Sequence, residues 1–168
     1  MIKVTLWILF LAFTSYALFC AFLYSKQRSL IYYPSSRTTS SQAESILLDN
    51  EGQSLQVWHV AAEDRNALIY FGGNAEDVAL SIPELKHLFP GYAIYLPHYR
   101  GYGGSTGHAT EQGLYSDALA LYREIVNRYD SISVMGRSLG TGVAVYLASQ
   151  KTVKSLILVT PYDSMTRL

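Results

Sequence analysis

The stretch that most limits the possible folds is Ser131 to Thr141, SISVMGRSLGT. Ile132, Val134 and Met135 form a short apolar run, as a strand covered on both faces requires. Gly136-Arg137-Ser138-Leu139-Gly140 follows, and Gly142 to Gln150 then sets small and apolar residues at helical spacing. A G-x-S-x-G pattern between buried strand and helix predicts an elbow, a strained turn that lifts Ser138 Oγ clear of the sheet. Gly136 and Gly140 lack a Cβ, so strand and helix can approach each other on either side of the serine. The helix N-terminus beneath Ser138 favours negative charge, which an attacked carbonyl develops. The five residues alone are weakly specific, and the flanking strand and helix give them meaning. The plain alternative is a glycine-rich strand-to-helix turn in some other α/β fold.

A chain of 168 residues has room for one domain. Its 13 basic and 13 acidic residues balance, and no basic run occurs, so nothing points to nucleic acid. Cys20 is the single cysteine, which excludes an internal disulfide and a multi-cysteine metal site.

Val4 to Ser25 carries no charge. As a helix it would span about 33 Å, enough to cross a bilayer. Lys3 stands before it, Lys26 and Arg28 stand after it, and Trp7 and Tyr24 sit near its ends as interfacial aromatics do. A cleavable signal peptide is the rival, but bulky Phe19, Phe22 and Leu23 crowd the candidate exit. The expected organisation is a single-pass membrane anchor over residues 1–26, a juxtamembrane connector over 27–42 and one domain over 43–168. Membrane lipid is thus an expected partner through the helix. The flanking charges do not choose a side for the domain.

Glu44 to Asp49 and Leu55 to Val60 read as a hairpin turning through Asn50-Glu51-Gly52-Gln53. Ala67 to Phe71 is an apolar strand running into Gly72-Gly73-Asn74-Ala75. That loop lacks Gly-Lys-Ser/Thr and a third glycine at dinucleotide spacing, so neither nucleotide fingerprint fits. The elbow favours reading it as the loop whose backbone N–H helps form an oxyanion hole. A helix is expected over Glu76 to Leu88, kinked or divided by Pro83. Then come a strand from Tyr92 to Leu96, a glycine-rich loop from Pro97 to Gly107 with Arg100 as its one fixed charge, and a helix from Glu111 to Tyr129 capped by Thr110. Lys154 to Thr160 is a last apolar strand. Alternating strands and helices imply an α/β fold, a mostly parallel sheet with helices on both faces.

From Gln27 onward the sequence resembles the membrane-anchored branch of the α/β-hydrolases, within the serine aminopeptidase-like group. Four blocks carry the resemblance, in order and spacing: Arg28 to Pro34 (RSLIYYP), Tyr70 to Ala75 (YFGGNA), Tyr99 to Ser105 (YRGYGGS) and Met135 to Gly140 (MGRSLG). The resemblance implies the α/β-hydrolase fold, here as about six of eight core strands. It implies Ser138 as nucleophile and the backbone N–H groups of Leu139 and Asn74 as oxyanion donors, with Gly136 and Gly140 forming the elbow. No metal or organic cofactor is implied. The implied activity is cleavage of an ester, thioester or amide, in a small-molecule, lipid or acyl-protein substrate.

The chain departs from the family pattern at three places. Gly72-Gly73 stands where His-Gly is usual, which alters how the oxyanion loop is pinned. His98 stands where Asp or Asn is usual. His59, His87, His98 and His108 all precede Ser138, and Asp163 is the one acidic residue after it. Triad partners in this fold follow the nucleophile in the order acid, then histidine. Both are therefore expected beyond Leu168, with Asp163 as an alternative acid. A catalytically inactive membrane protein or interaction module shares every one of these features. A nucleotide-binding domain using Gly72 to Asn74 is a third reading.

Overall fold

The computed structural model describes residues 2–36 and 38–162. The chain divides between Tyr33 and Pro34 into two compact units. The first is one helix, α1 (Ile2–Ile31). Among the described residues it is the one helix long and apolar enough to cross a membrane, and a signal sequence meets the same test. It runs past Lys26, where the sequence reading ends the anchor, because no breaker intervenes. The hydroxyls of Ser25 and Ser29 fold back onto the carbonyls of Phe22 and Lys26. Pro34, three residues past the last turn, cannot continue a helix.

The second unit is built on a sheet. Its strands are β1 (Glu44–Asn50), β2 (Gln53–Val60), β3 (Asn66–Phe71), β4 (Ala93–Pro97), β5 (Ser131–Arg137) and β6 (Leu156–Val159), in the order β1-β2-β4-β3-β5-β6. β2 runs antiparallel to β1 and β4, while β4, β3, β5 and β6 run parallel. The hairpin is tighter than expected: Asn50 pairs with Gln53, and only Glu51 and Gly52 turn, both at positive φ. Two positive φ values match the right-handed strand twist that a two-residue loop must continue.

One face of the sheet packs Trp58, Val60, Leu68, Tyr70, Ile94 and Leu96 against Val78, Ala79, Ile82 and Leu85. Those last four come from a 3-10 turn, Val78–Ser81, and from helix α2 (Ile82–Leu88). Pro83 lies in the first turn of α2, where its missing N–H is no loss. Glu76, expected to open this helix, lies instead in the loop before it. The opposite face carries Ile69, Val134 and Gly136, and Gly136 stands against Ala144 of α4 (Leu139–Gln150). Helices therefore cover both faces, as the sequence pattern predicts.

Helix α3 spans Glu111–Ile125, and Thr110 Oγ1 caps it by accepting from Gly113 N–H at 3.0 Å. It ends before Tyr129, contrary to expectation. A 3-10 turn at Val126–Arg128 releases the chain, Tyr129 turns extended, and its hydroxyl meets that of Tyr95 at 2.8 Å. Arg100 is not an isolated loop charge. It grips Asp117 of α3 with two parallel bonds of 2.9 and 2.8 Å and reaches Glu51 at 2.9 Å, tying loop, helix and hairpin together.

Candidate active site

The loops following β3, β4 and β5 meet at the carboxyl edge of the parallel strands, where open α/β sheets bind their ligands. β5 ends at Arg137, and α4 begins at Leu139. Ser138 alone makes the turn, with φ +48° and ψ −115°. A residue with a side chain rarely holds that conformation, and it persists only where surrounding structure enforces it. The enforcing bonds are visible. Ser138 N–H donates to the Val159 carbonyl at 2.9 Å, and Thr141 caps the Ser138 carbonyl through its N–H (2.9 Å) and its hydroxyl (2.6 Å). The Ser138 side chain is exposed, while Leu139 behind it is buried.

The two elbow glycines are where backbones touch. A Cβ on Gly136 would overlap the Gly140 carbonyl and come within 2.8 Å of Ala144 Cβ. A Cβ on Gly140 would overlap the Phe71 carbonyl oxygen and approach the Gly72 carbonyl oxygen to 2.7 Å. The same closeness brings the β3 loop to the serine: a Cβ on Gly73 would lie 3.7 Å from Ser138 Cβ. Gly136, Ser138, Leu139 and Gly140 thus share one turn, and Asn74 lies one residue beyond the point where the β3 loop meets it. Leu139 is the first residue of α4, where backbone N–H groups have no partner within the helix.

No histidine among the described residues is placed as a partner of Ser138. His59 stacks on Tyr95 with ring centroids 4.5 Å apart. His87 lies in the last turn of α2 and His108 is an exposed loop residue. His98 is 2% exposed, and its Nε2 accepts from Trp58 Nε1–H at 3.1 Å. Neutral imidazole with an accepting Nε2 carries its proton on Nδ1. Burial holds His98 below the usual histidine pKa, against the opposing pull of Asp77. It stands in the loop after β4, as the sequence suggested, but it is buried there. Asp163 lies outside the described residues. No group of His, Cys, Asp and Glu among the described residues has the arrangement of a metal site.

Sequence reasoning missed the side chains that hold the β3 loop. Glu76 Oε2 accepts from Gly73 N–H at 2.6 Å, and its Oε1 accepts from the hydroxyls of Tyr70 and Ser81, each at 2.7 Å. Tyr99 donates its buried hydroxyl to the Gly72 carbonyl at 2.7 Å, and Tyr102 donates to Asn74 Oδ1 at 2.8 Å. Desolvation raises the pKa of Tyr70 and Tyr99, so both stay neutral donors. The one available signal was a glutamate three residues after Gly73, the spacing at which a carboxylate reaches back to a backbone N–H.

This strand order and elbow are those of an α/β-hydrolase. Residues 66–168 match the family profile described as alpha/beta hydrolase fold, and the chain belongs to that family. It is 32% identical over 162 residues to an uncharacterized protein of Mycobacterium tuberculosis, covering 88% of this chain and 58% of that protein. It is 34% identical over 128 residues to the human protein ABHD12B, covering 70% of this chain and 35% of the relative. Among solved structures, epoxide hydrolase VrEH1 of Vigna radiata matches with a TM-score of 0.63 at 18% identity, over 76% of this chain and 41% of that one. The Pyrococcus furiosus esterase Pf2001 matches with a TM-score of 0.53 at 17% identity, over 67% of this chain and 51% of that one. At these identities the solved structures speak for the fold alone. The chain spans well under two thirds of the length of each of these proteins.

Proposed function

We propose that this chain carries the nucleophile and oxyanion hole of a membrane-tethered serine hydrolase that cleaves an ester, thioester or amide. The observation that carries the reading is Ser138 itself: an exposed hydroxyl at φ +48° on the turn between a buried parallel strand and a helix, with the β3 loop beside it. A strained serine in that context is the mark of a nucleophile.

In the proposed reaction Ser138 Oγ attacks the carbonyl carbon, and an imidazole takes its proton. In this fold that imidazole and its carboxylate follow the nucleophile in the chain. The N–H groups of Leu139 and Asn74 donate to the oxyanion as it forms. The imidazole returns the proton to the leaving alcohol, thiol or amine, and an acyl ester remains on Ser138. Water, deprotonated by the same base, then cleaves that ester and releases the acid. Tethering by α1 favours a lipid or acylated-protein substrate by proximity.

The test uses the full-length protein in its membrane. A fluorophosphonate probe should label it, Ser138→Ala should abolish labelling, and labelling that survives the substitution overturns the assignment. For the tether, the protein should stay in the membrane at alkaline pH with its N-terminus intact; a species shortened by cleavage after α1 would overturn it.

A further inference from the structure

We propose that Glu76 is the positioning residue of the oxyanion loop, doing for Asn74 what a loop histidine would do at position 72. The inference rests on Ser138 being the nucleophile. The carboxylate satisfies three donors at once: Gly73 N–H, Tyr70 Oη–H and Ser81 Oγ–H, at 2.6, 2.7 and 2.7 Å. The bond returns from the other end as well, since Glu76 N–H donates to the Gly73 carbonyl at 3.3 Å. Residues 73–76 are thereby closed into a reciprocal turn, the arrangement that makes a capping box rigid.

The turn decides where Asn74 N–H points. In a planar trans peptide the C=O and N–H bonds lie on opposite sides. The Gly73–Asn74 peptide turns its carbonyl toward Glu76, so Asn74 N–H is aimed away from Glu76. Gly73 itself lies beside Ser138, since a Cβ on it would stand 3.7 Å from Ser138 Cβ. Ala75, held at φ +61°, shows that the turn is imposed by its bonds rather than by backbone preference. A side chain at position 72 would have to displace Val78, because a Cβ there would stand 2.5 Å from Val78 Cγ1, and it would meet the Glu76 carboxyl carbon at 3.4 Å. Charged acceptors make the strongest hydrogen bonds to N–H and O–H donors, which suits a carboxylate to the task. Tyr70 ties the brace to β3 and Ser81 ties it to the 3-10 turn, so the loop is anchored to rigid elements at both ends.

The experiment compares the wild-type protein with Glu76→Ala, Glu76→Gln and Ser138→Ala in the full-length, membrane-bound form. Two readouts are taken: the second-order rate of fluorophosphonate labelling, and hydrogen–deuterium exchange of peptides covering residues 68–77. Glu76→Ala should speed exchange across 72–76 and slow labelling about tenfold or more, short of the hundredfold and larger losses seen when an oxyanion donor is deleted outright. Glu76→Gln should recover most of both, because its Oε1 still accepts from Gly73 while the Tyr70 and Ser81 hydroxyls rotate to accept from its amide. Exchange and labelling both at wild-type values in Glu76→Ala overturn the brace. Faster exchange with unchanged labelling overturns its role in positioning the oxyanion donor. Labelling that persists in Ser138→Ala overturns the nucleophile instead, and the exchange result still reports whether the brace exists.

Discussion

Gly140 and Phe71 are in backbone contact: a Cβ on Gly140 would overlap the carbonyl oxygen of Phe71, joining the first turn of α4 to the last residue of β3. The glycine is thus required by closeness, not by a left-handed φ. Gly140→Ala should push α4 off the strand and destabilise the domain by about 1–3 kcal/mol, the usual cost of forcing extra volume into a packed site. Gly136→Ala should behave alike, since its Cβ would overlap the Gly140 carbonyl. Denaturant unfolding measures both, and a wild-type midpoint in either would count against the contact.

Arg100 and Asp117 are both nearly buried, with side-chain exposures of 12% and 10%. Their bidentate pair leaves no spare carboxylate oxygen unmet, because Asn50 also donates to Asp117 Oδ1 at 2.7 Å. Arg100→Met should strand the Asp117 charge and cost about 3 kcal/mol. Arg100→Lys should recover less than half of that loss, because an ammonium cannot reproduce the planar fork. A stability of Arg100→Lys equal to that of wild type would show that the fork geometry is immaterial.

Tyr99 donates its hydroxyl to the Gly72 carbonyl in a buried setting. Tyr99→Phe keeps the ring and leaves that carbonyl without its donor, at a cost of about 1–3 kcal/mol. Faster hydrogen exchange in the 68–77 segment should accompany the loss. A stability within error of wild type would mean that the Gly72 carbonyl finds another donor.

Burial holds His98 and His59 below the ordinary histidine value of 6.5. As pH falls below about 6.5, the unfolded chain takes up protons that the folded domain resists, so stability declines toward acid. The decline continues down to the depressed folded values, with a slope of at most about 1.4 kcal/mol per pH unit for each histidine. His98→Gln offers an amide oxygen to Trp58 Nε1–H and removes one titration. Its stability should therefore fall less between pH 7 and pH 5 than that of wild type. Parallel pH curves for the two proteins would sink the assignment to His98.

The elbow, the strand-and-helix order and the apolar N-terminal helix were legible in the sequence because each is written in neighbouring residues. An apolar run before Gly136, small residues after Gly140 and the uncharged stretch from Val4 to Ser25 state local structure directly. Pairing follows a different logic. That β2 would lie between β1 and β4, buried on both sides along Leu55 to Trp58, depends on which strand closes beside it, and no spacing in the hairpin says so. Helix ends were misread where a side-chain bond outweighed helical propensity: Tyr129 leaves α3 to reach Tyr95, 34 residues away, and Glu76 stays out of the following helix to bind its near neighbours Gly73, Tyr70 and Ser81. The burial of loop residue His98 was not legible either, since its partner Trp58 lies 40 residues away. Residue type and short-range spacing determined the elements, the elbow and the family. Only the tertiary structure decided which polar side chains brace the site, because a buried donor is satisfied by whatever acceptor the fold brings within about 3 Å, however distant in sequence.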